Sequence, residues 1–221
     1  MASPAERSAR RAVLAAARHM EAAGHSPGSS GNVSVRLGTG LLITPTGIAP
    51  SELRLMDLVH IDAEGRAAPG SRAPSSELPM HRAVYGARPD VGAVVHSHSR
   101  FATTLACLRR GIAPLHYMVA AVGGRDVPCA DYATFGSPEL SERILEVLGE
   151  RLGCLLANHG QLALGADLPH ALRVAEEIER LAFLTWSASL LGEPVCLGDP
   201  ELAAVEKRFR AGYGQPPEPE G

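Results

Sequence analysis

The chain has 221 residues, 45% of them hydrophobic and 20% charged, with a formal net charge of −3 and a pI near 6.3. That length suits one large α/β domain around a single core, and the weak negative charge offers no general attraction to nucleic acid or to an anionic membrane. No apolar run approaches the roughly 18 residues of a spanning helix, and the run at 12–17 is too brief for a secretory signal, so the expectation is a cytoplasmic protein with no membrane or nucleic-acid partner.

Ala9, Val13, Ala17 and Met20 fall at helical spacing, which predicts a helix over 5–23 closed by Gly24. The run Ser26-Pro27-Gly28-Ser29-Ser30-Gly31-Asn32 then enters an alternating strand over 33–37. Glycines let backbone N–H groups turn toward a ligand and Ser and Asn add donors, so the run suits either a tight turn or a phosphate loop. A hairpin turn at 38–40 leads into a strand over 41–43, and its end, Thr44-Pro45-Thr46-Gly47, offers a second hydroxyl and amide pair. A further strand is expected over 58–61 and a loop over 67–74. Pro79 fits only the first turn of a helix, so the next helix is expected to open with Ser75, Ser76 and Glu77 and to run to Ala87. Its N-terminus favours an anion, and Ser76 or Glu77 serves equally well as a cap. His81, one turn beyond Glu77 on the same face, is a possible ligand but reads rather as a half-exposed helix-surface histidine.

Ala93-Val94-Val95-His96-Ser97-His98-Ser99 reads as the end of a buried strand. Side chains at i and i+2 leave a strand on one face, so His96 and His98 could share one metal ion or simply cap the sheet. A helix over 101–110 turns Leu105 and Leu108 inward, and a short apolar segment opens at His116-Tyr117-Met118 and breaks at Gly123-Gly124. Ser137-Pro138-Glu139 marks a helix start, with an end near Gly153. Strands over 154–157 and 162–164 flank Asn158-His159-Gly160, which gives His159 a strand-end position like that of His96. A helix over 167–191 follows, with Leu172, Ala175, Ile178, Ala182 and Thr185 along one stripe and Trp186 in a core or an interface. Cys107, Cys129, Cys154 and Cys196 form no C-x-x-C and read as reduced core residues; residues 214–221 read as a flexible tail. Together, Glu77, His96, His98 and His159 form a set of oxygen and nitrogen ligands suited to zinc or a similar divalent ion.

The motifs Ser-Gly-Asn-Val-Ser-Val-Arg, Leu-Ile-Thr-Pro-Thr-Gly, Ser-Ser-Glu, Ala-Val-Val-His-Ser-His, His-Tyr-Met, Ala-Thr-Phe-Gly and Asn-His-Gly occur in this order between about Arg11 and Tyr213. In that order they resemble the class II aldolases of the adducin-like superfamily. The resemblance implies a single-domain three-layer α/β/α sandwich with a central, mainly antiparallel sheet over residues 1–213. It implies Zn2+, or another divalent metal, held by Glu77, His96, His98 and His159, with Glu77 also acting as acid and base. It places Ser29, Gly31, Asn32, Thr46, Gly47, Ser75 and Ser76 around the phosphate of a small phosphorylated sugar. It further implies a homotetramer with active sites at subunit interfaces, Tyr117 reaching in from a neighbouring subunit and Tyr213 covering the site.

The implied reaction is retro-aldol cleavage of a ketose 1-phosphate such as L-fuculose 1-phosphate, giving dihydroxyacetone phosphate and an aldehyde such as L-lactaldehyde. A phosphosugar epimerase, which usually carries Asp in place of Glu77, a dehydratase or a decarboxylase would use the same metal chemistry. An adducin-like interaction domain would keep the fold without the metal. Ala157-Asn158 departs from the more polar, histidine-containing neighbours of fuculose-cleaving members, which bears on substrate choice more than on metal binding. The chain's only lysine, Lys207, lies outside every motif, so no Schiff-base residue offers itself and a metal route is favoured.

Overall fold

The computed structural model describes residues 3–211; Tyr213 and the tail at 214–221 lie outside them. In chain order these residues form α1 (Pro4–Ala22), β1 (Asn32–Leu37), β2 (Gly40–Ile43), β3 (Val59–Ile61), α2 (Leu78–Ala87), β4 (Ala93–Ser97) and α3 (Arg100–Cys107). They continue with β5 (Cys129–Ala130), α4 (Pro138–Leu148), β6 (Gly153–Leu156), β7 (Gly160–Gly165), α5 (Leu168–Leu191) and α6 (Asp199–Arg210). Single 3-10 segments lie at Leu55–Asp57 and Tyr117–Val122.

Three helices start on one local device. Ser3, Ser137 and Asp167 each accept a backbone N–H three residues on, and each is followed by a proline in the first turn, where a missing N–H leaves nothing unpaired. The seven strands lie in the order β3-β2-β1-β4-β7-β6-β5, and every neighbouring pair is antiparallel except β5 with β6. Helices cover both faces, so most strand residues are apolar on both sides, with Asn32, Ser34, His96 and Gln161 as buried polar exceptions. Along β4, Ala93 and Val95 enter a core shared with α1, α3 and α5, whereas Val94 enters a second core with Met80 and Val84 of α2 and Leu140 and Ile144 of α4. This is the expected three-layer arrangement. Leu155, Leu156 and Leu162 are fully enclosed, each contributing about 2 kcal/mol by leaving water.

Several local expectations are corrected. Helix α2 begins at Leu78, with Ser75 and Ser76 in the preceding loop, because the Ser75 hydroxyl already accepts the Glu77 N–H. Helix α3 stops at Cys107, and Leu108 is exposed rather than inward, because the chain turns at Arg109 in a left-handed conformation (φ 52°). Helix α4 ends at Leu148, where Gly149 takes φ 52°. Of the cysteines, Cys154 alone is buried; Cys107 and Cys196 are exposed, and all four are free. Trp186 lies not in a core but partly exposed on α5, beside the rings of Phe101 and Phe183. No helix among the described residues is long and apolar enough to cross a membrane.

Candidate active site

The central strand β4 carries His96, and the other two imidazoles stand just beyond strand ends. β4 pairs with β1 on one side and β7 on the other, so His96 lies opposite both Asn32 and Leu162. It shares the α2 face of the sheet with Val94 and is fully buried. His98 follows beyond the last paired residue, and the chain behind it is anchored at the start of α3. There Glu179 of α5 accepts the Ser99 hydroxyl and the N–H groups of Phe101 and Ala102, while the Gln161 amide donates to Ser99 Oγ. His159 stands in the three-residue link between β6 and β7. The link turns at Asn158, whose φ of 55° is a conformation asparagine tolerates better than most residues. The departure noted at this position thus has a backbone role; the Asn158 side chain accepts a hydrogen bond from Arg109.

The ligand atoms of His96, His98 and His159 lie within 4.8 Å of one another. Glu77, at the N-terminus of α2, joins them: Oε2 is 3.1 Å from His96 Nε2 and Oε1 is 3.2 Å from His159 Nε2. His96 Nδ1 donates to the Gln161 carbonyl at 2.9 Å, which leaves its Nε2 lone pair bare and aimed at the cluster. His96 Nε2 and His98 Nε2 approach to 3.0 Å, and Glu77 Oε1 is buried without a hydrogen-bond partner. Lone pairs brought together in this way repel unless a cation sits among them, so the four residues fit a divalent ion with nitrogen and oxygen donors. Burial opposes ionisation of Glu77, yet the facing His96 and His159 rings outweigh it and hold the carboxyl well below the usual carboxylate range. Burial, reinforced by His96 and His159, lowers His98 to about 4, so it is neutral and able to ligate at pH 7.

A cleft of about 330 Å3 opens beside the cluster. Its walls include every residue the resemblance placed near a phosphate: Ser29, Gly31, Asn32, Thr46, Gly47, Ser75 and Ser76. Gly31 and Gly47 hold φ of 79° and 69°, and a Cβ on Gly31 would press on the His96 carbonyl at 2.9 Å, so only glycine allows this approach. The Asn32 side chain turns inward, its amide donating to Glu77 Oε2 at 2.9 Å. Tyr117 is not part of this chain's cleft. It stacks on His116 and is 42% exposed.

Sequence reasoning missed Tyr132 and Phe135, exposed rings that border the cleft, and it misplaced His81. That residue is not half-exposed but completely buried between α2 and β1, with both ring nitrogens hydrogen-bonded, because the facing positions on β1 are the polar Asn32 and Ser34.

A seven-stranded, mainly antiparallel sheet between two helical layers, with three histidines and a carboxylate beside a hydroxyl-lined cleft, defines a site fit to hold a divalent metal ion next to a small polar ligand. Residues 11–186 match the class II aldolase and adducin N-terminal domain, and the chain belongs to that family and is a class II aldolase. It is 46% identical over 205 residues to a Rhodospirillum rubrum protein named 5-methylthioribulose-1-phosphate/5-deoxyribulose-1-phosphate aldolase, covering 93% of this chain and 92% of that one. It is 43% identical to the L-fuculose phosphate aldolase of Escherichia coli K12, covering 92% and 94%. A solved L-fuculose 1-phosphate aldolase superposes with a TM-score of 0.89 at 36% identity, over 95% of this chain and 98% of that one.

Proposed function

We propose that the chain cleaves a 1-phosphorylated deoxyketose by a retro-aldol reaction, releasing dihydroxyacetone phosphate and an aldehyde, and that its divalent ion is zinc. The observation that carries this reading is the convergence, at one cleft, of the Glu77, His96, His98 and His159 donor set with a rim of hydroxyls and backbone amides. The relatives are named for sugar 1-phosphates whose far ends are deoxygenated or carry a thioether. The exposed faces of Tyr132 and Phe135 suit such an apolar end better than a second phosphate. L-fuculose 1-phosphate and 5-deoxy- or 5-methylthioribulose 1-phosphate are accordingly the substrates to compare.

In this reading Gly31, Asn32, Thr46, Gly47, Ser75 and Ser76 hold the phosphate oxygens, with Ser29 nearby. Bound zinc supplies a Lewis acid for the negative charge that develops on the ketose-derived fragment. Glu77 takes up a proton from solvent when substrate displaces it from the centre, gives that proton to C3 during cleavage and removes it in the synthetic direction. Tyr117 of a neighbouring subunit in a homotetramer accepts the proton of the C4 hydroxyl; its exposed ring outside its own cleft supports delivery to another copy.

The deciding experiment is a substrate panel read by an enzyme-coupled assay for dihydroxyacetone phosphate. Ketose 1-phosphates should release it, and a ketose 5-phosphate should not. Conversion of the 5-phosphate to a stereoisomer without carbon–carbon cleavage would replace the aldolase reading with an epimerase.

A further inference from the structure

A line of buried polar side chains leads from the candidate base into the protein: Glu77, Asn32, His81, Ser34, Tyr85. Asn32 Nδ2 lies 2.9 Å from Glu77 Oε2, and Asn32 Oδ1 lies 2.5 Å from His81 Nε2. His81 Nδ1 lies 2.7 Å from Ser34 Oγ, which is 2.9 Å from the Tyr85 hydroxyl. All five residues are buried. One end fixes the direction of every hydrogen bond in the line. An ionised carboxylate only accepts, so Asn32 must present its NH2 to Glu77 and its oxygen to His81. His81 must then carry its proton on Nε2, its bare Nδ1 accepts from Ser34, and the Ser34 oxygen accepts from Tyr85.

We propose that His81 is a positioning residue for Glu77: by donating from Nε2 to Asn32 it locks the asparagine amide, which pins Glu77 Oε2 and leaves Oε1 aimed at the three histidines. This rests on the reading of Glu77 as both ligand and base. Burial, reinforced by His96, lowers His81 to about 3, so the ring stays neutral and keeps a single tautomer through the working pH range. Without the imidazole the Asn32 amide is free to turn over and oppose oxygen to oxygen at Glu77. Second partners of this kind typically alter metal affinity or turnover about 10- to 100-fold.

Three measurements test the proposal. A long-range proton–nitrogen NMR correlation spectrum of the wild-type enzyme, with and without zinc, should show His81 protonated at Nε2; protonation at Nδ1 overturns the assignment without any variant. In His81→Asn the shorter amide reaches only as far as Nδ1. Zinc affinity, read by competition with a chromophoric chelator, should weaken about 10-fold, and kcat should fall about 10-fold or more with KM within about threefold. In His81→Gln the amide reaches the position of Nε2 and should restore both to within about threefold of wild type. Wild-type zinc affinity and kcat in a folded His81→Asn protein overturn the proposal, as does failure of His81→Gln to recover them. If His81→Asn does not fold, Ser34→Ala, which removes the donor to Nδ1, should shift zinc affinity and kcat in the same direction by a smaller factor; unchanged values overturn it. Glu77→Gln separates the two claims: wild-type turnover there would end the base reading, while the tautomer and zinc affinity still test His81.

Discussion

The buried imidazole of His81 makes the metal-free protein sensitive to mild acid in a way that can be worked out in advance. Burial lowers its folded-state pKa to about 3 from the ordinary 6.5. Between those values the unfolded chain binds a proton that the folded chain does not, so stability falls as pH drops from 6.5 toward 3. The slope is about 1.4 kcal/mol per pH unit, which amounts to about 2 kcal/mol between pH 7 and pH 5. His98, lowered to about 4 by burial and its histidine neighbours, acts with the same sign. Glu77, whose folded pKa is depressed, contributes stability that is lost only below its ordinary value of 4.5, outside this window. Urea unfolding of chelator-treated wild type and His81→Gln, at pH 7 and pH 5 and one protein concentration, isolates the His81 share. The variant should lose about 2 kcal/mol less than wild type over that interval. Equal losses in the two proteins would show that His81 does not stay neutral in the fold, and would refute the reasoning.

Other outcomes follow from the same geometry. A Cβ on Gly160 would lie 2.4 Å from the Ser97 carbonyl and 2.9 Å from His98 Cδ2, so Gly160→Ala should displace His98 and weaken zinc binding about 10-fold; unchanged affinity in a chelator competition would remove His98 from the ligand set. Ser76→Ala, at the exposed rim of the cleft, should raise KM about 10-fold while leaving kcat within twofold, the loss of one hydrogen bond to a charged phosphate; a fall in kcat alone would speak against phosphate binding there. Glu179→Ala leaves two N–H groups at the start of α3 and the Ser99 hydroxyl without their acceptor. It should lower stability by about 2 kcal/mol in a denaturant titration, and an unchanged midpoint would contradict the capping role. Chelation should abolish dihydroxyacetone phosphate release and added zinc should restore it; activity that survives exhaustive chelation would exclude a metal-dependent route.

The strand positions of the histidines were legible because buried strands carry a local signature: Ala93-Val94-Val95 and Cys154-Leu155-Leu156 are apolar runs that end where the imidazoles begin. The sheet order and the proximity of Glu77 to His159 were not local. They depend on β1 and β7 closing on either side of β4, and only the ordered set of family motifs pointed there. His81 was misjudged for a physical reason. Its partners Asn32 and Ser34 are remote in the chain, and the alternation of Val33-Ser34-Val35 suggests a solvent face for Ser34 where α2 covers it completely. Helix α6 went unread although Asp199-Pro200-Glu201 carries a helix-start pattern, because few of its side chains are buried and the apolar period is weak. Tyr132 gave no signal and Phe135 only its place in the Ala-Thr-Phe-Gly motif, because exposed rings in a loop have no period that would assign them a role.

The four donors are mounted on two kinds of support. His96 sits in the middle strand of the sheet, and His159 is presented where the neighbouring strand begins, so opening that part of the backbone means unfolding the whole molecule. Glu77 instead rides on the last residue before α2, behind a loop, with one oxygen held by a single asparagine. In native-state hydrogen exchange the amides around His96 should be among the slowest and those around Ser76 far faster. The imidazoles are thereby carried by the sheet, and the acid meets them from a separate element whose hold on it runs through side chains instead of the strand ladder.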